Sequence, residues 1–226
     1  MDIIRLRVVG TSHVAKESQD KIKTAFAEFS PDIIAIELDR QRFYALSNNA
    51  KSSLSITDIS RIGITGFIFA IIGKLVQKHI GKLVGVIPGE EMLLGARLAK
   101  NNKLALALID QEVSITLKLG KEVKFSEKMK IVWDILSAPF RKQEKISIDL
   151  NKVPSNEIID KMMLQLEKRY PGFHKVLLAD RNKFMAKKLF LLLKNNPDKK
   201  ILAIVGAGHE KGMTSSLEKL VASNLI

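Results

Sequence analysis

Two tetrapeptides of the form Gly-x-x-His, Gly10-Thr11-Ser12-His13 and Gly206-Ala207-Gly208-His209, each follow directly on a short run of β-branched and aliphatic residues. The chain has four histidines, so half of them stand in this one context. Glycine lets the backbone turn sharply after a buried strand, and a histidine placed there projects from the carboxyl edge of a sheet, where open α/β folds put their sites. Glu37 closes another apolar run, Ile33-Ile34-Ala35-Ile36-Glu37, and brings a carboxylate to the same edge. His13, Glu37 and His209 could fill three positions of a catalytic metal and leave the fourth to water. Alternatively, Glu37 is a general base beside a two-histidine site. The plainer reading makes the histidines cap or pack helix ends. It pairs Glu37 with Arg40 or Arg42 of the following helix, because buried charges need partners.

Composition narrows the chemistry. With no cysteine among 226 residues, disulfides, thiol catalysis and thiolate metal sites are excluded. A metal would be held by His, Asp or Glu, which favours a divalent Zn, Mn, Fe or Co ion over an iron–sulfur cluster. The start, Met1-Asp2-Ile3-Ile4-Arg5, lacks the basic, apolar, small-residue order of a signal peptide. A cytoplasmic protein is expected, with peripheral membrane attachment as the alternative. The formal charge of +13 raises nucleic acid and anionic membranes as partners. Basic residues nevertheless alternate with acids, as in Lys121-Glu122-Val123-Lys124, and two tyrosines with one tryptophan make no stacking platform. A nucleic-acid partner is therefore not expected. The glycines of Gly206-Ala207-Gly208-His209-Glu210-Lys211-Gly212 fall at offsets zero, two and six, where a dinucleotide loop needs its third at five.

The elements that must position these residues alternate along the chain. Apolar runs at 3–9, 32–38, 103–109 and 200–205 predict strands, and amphipathic periodicity predicts helices over 15–29, 40–47, 89–100, 112–119, 126–136, 155–170, 172–193 and 209–222. Four apolar strands separated by helices imply one α/β domain over 1–226, with a mostly parallel sheet flanked by helices.

Residues 51–87 interrupt this pattern. The stretch 62–73 is apolar on every side and uncharged, yet too short to span a bilayer as a helix. Lys74, Lys78 and Lys82 then recur every four residues opposite Leu75, Val76, Ile80 and Leu83. The segment reads as a helical insertion packed on the core or on a second subunit, as an interfacial membrane helix, or as a lid over the site.

Five ordered motifs resemble one family. Gly10-Thr11-Ser12-His13-Val14 with Ser18, Glu37-Leu38-Asp39 with Arg42 and Leu46, Pro88-Gly89-Glu90-Glu91-Met92, Asp180-Arg181 with Met185-Ala186, and Val205-Gly206-Ala207-Gly208-His209 follow one another as in the TraB/PrgY pheromone-shutdown proteins. These stand in one superfamily with the Tiki and GumN proteins, and the resemblance covers nearly the whole chain. It implies a metal-dependent peptidase or related hydrolase in which His13, Glu37 and His209 form the metal or catalytic set, with Glu91, Arg42 and Arg181 nearby. Gln111 stands where that pattern has arginine, and Asp180 where it has glutamate.

The remaining candidates carry two readings each. Glu91 lies in a helix's first turn, where the dipole favours a carboxylate whether or not it does chemistry. Asp110 ends the third strand and would orient an imidazole or cap the next helix. Arg42 and Arg181 would neutralise Glu37 and Glu91 or bind a substrate carboxylate. His79 and His174 read as surface residues. The expected function is metal-dependent hydrolysis of a peptide or small-molecule amide. Its alternative is a non-enzymatic module that sequesters a peptide, with 51–87 as a route to a homo-oligomer or a membrane surface.

Overall fold

The computed structural model of the chain describes residues 3–11, 15–48, 89–137 and 156–223. The expected strands form one parallel sheet from β1 (Leu6–Thr11), β2 (Ile33–Ile36), β3 (Ala105–Leu108) and β4 (Ile201–Gly206), in the order β1-β4-β2-β3. Each strand differs in extent from its apolar run, and pairing explains the first case. Leu6 is already opposite Ile201, the first residue of β4, so residues 3–5 have no neighbour to continue with and wind into a 3-10 turn.

Side-chain alternation divides the strands between two cores. Ile34, Ile36, Leu202 and Ile204 face one cluster with Ile22, Ala25, Met92 and Ala99 from α1 (Ala15–Phe29) and α3 (Glu90–Asn101). Ile33, Ala35, Ile201, Ala203 and Val205 face the other, with residues of α8 (Asp180–Asn195) and α9 (Ala207–Ser223). Because both faces are covered, the strands read as continuous apolar runs. α1 ends where Ser30 takes a left-handed φ of 48° before Pro31, which has no N–H to continue a helix. Gly95 lets α3 lie close on the sheet, since a Cβ there would stand 2.6 Å from Ile204 Cδ1.

α2 (Arg40–Ser47) starts at the cap residue Asp39, whose carboxylate accepts from the Gln41 and Arg42 N–H groups at 2.8 and 3.0 Å. Beyond β3 come α4 (Val113–Leu119), α5 (Phe125–Ser137) and α6 (Asn156–Arg169). The single regular helix expected over 172–193 is instead composite. A short α7 (Pro171–His174) runs through a π turn at Lys175–Ala179 into α8. The π turn shifts the phase of everything after it, and such turns recur at functional sites.

The insertion expected at 51–87, with His79, lies outside the described residues, as does His13. Among the described residues no helix is long and apolar enough to cross a membrane.

Candidate functional site

Parallel strands end together, and the residues just past β2, β3 and β4 meet at the carboxyl edge of the sheet. Backbone bonds that outlast the ladder hold them there: Glu37 N–H to Ile204 O at 3.1 Å, and Ile109 N–H to Ile36 O at 3.0 Å. Ile33 and Ala35 face the α8/α9 core, so the same alternation aims Glu37 to that side. Two of its partners come from there. Its Oε2 accepts the Gly206 N–H at 2.7 Å, and its Oε1 lies 2.5 Å from Arg181 Nη2 and 3.3 Å from His209 Nε2.

Arg181 is the hub. Its Nε and Nη2 donate to the two oxygens of Asp110 at 3.1 and 2.5 Å, and its Nη1 donates to Leu177 O in the π turn at 3.2 Å. The same Nη1 lies 3.1 Å from His209 Nε2. The Arg181 side chain is only 15% exposed and the Asp110 side chain 0%. Asp110 also takes Arg42, whose Nη2 donates to Oδ2 while its Nε reaches Asp39 Oδ2 at 2.5 Å. Arg42 stands at the rim with its side chain 35% exposed. His209 sits in the first turn of α9, buried, with Nδ1 2.7 Å from Asn182 Oδ1.

The electrostatics follow from this geometry. Burial works against charge on Glu37, but His209, Arg181 and the Gly206 N–H outweigh it and hold the carboxyl below its ordinary range. Burial likewise opposes Asp110 ionisation, and the hydrogen bond and charge of Arg181, helped by Arg42, override it. Arg181 stays charged despite burial, because Glu37 and Asp110 face it. For His209, burial prevails over the attraction of Glu37 and pushes the imidazole below its usual range, so the ring is neutral near pH 7.

Four of the six residues of the expected site are thus tied into one network, Glu37, His209, Arg181 and Arg42, with the further candidate Asp110 joining the two arginines. The partner of Glu37 is corrected. It is Arg181, 144 residues away, because α2 directs Arg42 to Asp39 and Asp110. Glu91 is buried in the first turn of α3, whose carboxyl end leads into β3, so that first turn lies at the same sheet edge. Asp110 accepts the Gln111 N–H and pairs with both arginines. His174 is half-buried in α7, outside the network.

Asn182 was not singled out. Its signal is its place on the buried stripe of α8 with Met185, Ala186, Leu189 and Leu193, where a polar residue needs a partner. Gly212, one turn beyond His209, is its counterpart, since a Cβ there would collide with the Asn182 amide.

Glu37 Oε1 and His209 Nε2 have the spacing of two ligands on one tetrahedral ion, for which bonds of about 2.0–2.2 Å give roughly 3.4 Å. The Arg181 guanidinium now stands on both atoms. Among the described residues no group of three or more His, Asp or Glu is arranged to hold a metal.

A model of the TraB/PrgY/gumN family matches residues 4–225. An uncharacterized protein of Methanocaldococcus jannaschii is 35% identical to the chain over 96% of this sequence and 54% of its own. TraB domain-containing proteins of Bos taurus and Homo sapiens are 22% and 21% identical, over 92% of this chain and 61% of theirs. The chain thus spans from 54% to 61% of the length of these relatives. With the family match running from residue 4 to residue 225, the chain belongs to the TraB/PrgY/gumN family.

Proposed function

We propose that the carboxyl edge of the sheet is a hydrolytic site for amide bonds, of the metal-assisted peptidase or amidase class. The observation that carries this reading is the 3.3 Å approach of Glu37 Oε1 to His209 Nε2, two largely buried groups delivered by different strand ends into one charged cluster. The donor types, carboxylate oxygen and imidazole nitrogen, suit a divalent Zn, Mn, Co or Fe ion, with His13 as the third donor expected on the sequence. Such an ion would supply polarisation of the scissile carbonyl and a more acidic bound water.

The chain's own residues do the rest. Where the histidines hold the ion without Glu37, this carboxylate, ionised below the ordinary carboxyl range, accepts a proton from the attacking water. Glu91, on the same edge, is the alternative relay. Arg181 gives up its hold on Glu37 and His209 and turns its cation toward the oxyanion that develops on the substrate. Arg42, at the rim, holds a substrate carboxylate.

One observation favours the second reading, a module that sequesters a peptide without cleaving it. Both Glu37 oxygens and both His209 ring nitrogens already have partners within the chain, so the cluster needs no ion to satisfy it. Metal analysis of protein purified without chelator separates the two. A stoichiometric transition metal that disappears in His209→Ala supports hydrolysis. Metal-free protein that still binds peptides at this edge supports sequestration.

A further inference from the structure

We propose that Asn182 is a positioning residue that fixes the ring proton of His209 on Nδ1, so that the site engages its ligand only through an accepting Nε2. The proposal rests on the reading of this edge as a ligand site, and goes further by naming the ligand's chemistry at that atom. What docks on His209 must bring an N–H or O–H donor, or a cation, and not an acceptor such as a carboxylate oxygen.

The derivation starts from donor and acceptor inventories. A guanidinium can only donate, so the 3.1 Å contact from Arg181 Nη1 makes His209 Nε2 an acceptor. In the neutral ring the proton is then on Nδ1, where it needs an acceptor. Asn182 Oδ1 stands 2.7 Å from Nδ1 and supplies it. The two contacts agree on one tautomer.

Glu37 is the competitor. Its Oε1, 3.3 Å from Nε2, would accept a proton from that atom if the ring carried one there. Asn182 holds the proton on the far side of the ring and keeps Nε2 unprotonated, an acceptor for Arg181 here. Its amide is held in turn by Gly212, which leaves room beside α9 that any side chain would fill. Asn182 also begins the buried stripe of α8, so its backbone is as firmly held as the core beneath it.

The tautomer is read directly from the ring nitrogen chemical shifts of His209, with protein labelled on histidine and kept well above the ordinary imidazole titration range. No substrate or metal is needed, so this outcome stands apart from whether the protein hydrolyses anything. The wild type is expected to show the Nδ1–H pattern. Asn182→Ala leaves that N–H buried without an acceptor, which should move the equilibrium toward Nε2–H by roughly tenfold or more. Asn182→Asp, which keeps an oxygen at the same place, restores the Nδ1–H pattern. Gly212→Ala, which crowds the amide, shifts it in the same direction as Asn182→Ala and serves if that variant does not fold. An Nε2–H wild type, or a pattern unchanged in both Asn182→Ala and Gly212→Ala, overturns the proposal.

Discussion

Two arginine–carboxylate clusters in this molecule have nearly the same bond lengths around arginines of very different exposure. At the sheet edge, Arg181 reaches Glu37 and Asp110 at 2.5 Å each. On the surface, Arg169 of α6 reaches Asp134 of α5 at 2.6 Å, beside Tyr170. The Arg181 side chain is 15% exposed and that of Arg169 46%. Distance therefore says little about the worth of an ion pair, whereas burial decides it. Water and salt screen the outer cluster through the exposed Arg169, and Asp134, its side chain 15% exposed, keeps the Tyr170 hydroxyl as a donor when the arginine leaves. In the inner one, removing the cation leaves Glu37, 10% exposed, without its arginine and Asp110, fully buried, with Arg42 as its remaining cation.

The largest expected effect breaks the inner cluster. Arg181→Met should lower unfolding stability by about 3–5 kcal/mol in urea titrations, the range for losing one partner of a buried pair. A loss under about 1 kcal/mol would mean that Glu37 and Asp110 find solvent, and that the two clusters do not differ as described.

A smaller effect tests the apolar support beneath the site. Gly95→Ala puts a methyl into Ile204 and Ile36 of the sheet and should cost about 1–3 kcal/mol by the same titration. A neutral result would show that α3 can lift from the sheet without disturbing the edge.

The clusters should also part on acidification. Glu37, Asp110 and His209 all have native values below their ordinary ones, so the unfolded chain binds more protons than the native one as pH falls. Their contribution is complete above the ordinary values and is lost downward, beginning below 6.5 for His209 and below 4.5 and 3.8 for Glu37 and Asp110. Stability measured against pH should therefore fall more steeply in the wild type than in Asp110→Asn over the acidic half of that window. Parallel curves would count against the assignment. Smallest of all, Arg169→Met should leave the urea midpoint within experimental scatter at neutral pH.

The same contrast explains what was legible in the sequence. α1 and α2 begin and end at the residues expected, because Pro31 and the Asp39 cap mark their limits locally. The meeting of Glu37 and His209 was legible too, since any parallel sheet brings its strand ends together. The partner of Glu37 was not. Sequence proximity pointed to Arg40 or Arg42, Arg181 stood only as one of two arginines to be shared between Glu37 and Glu91, and the phase that aims it inward comes from a π turn that apolar periodicity does not register. Asn182 was silent for a related reason. A lone amide on an apolar stripe shows no role until the imidazole it serves arrives from 27 residues away.

The central claim is that the inner cluster is kept for chemistry on a ligand. Its most direct test is cleavage of a mixed peptide library by purified protein supplied with Mn, Co or Zn, comparing the wild type with Glu37→Gln, which keeps the side chain's size but removes its charge. Products that form with the wild type and fall by roughly a hundredfold or more with Glu37→Gln are expected for a group that takes a proton in the reaction. Equal product formation by both proteins, or none by either while peptides still bind, would contradict hydrolysis at this edge.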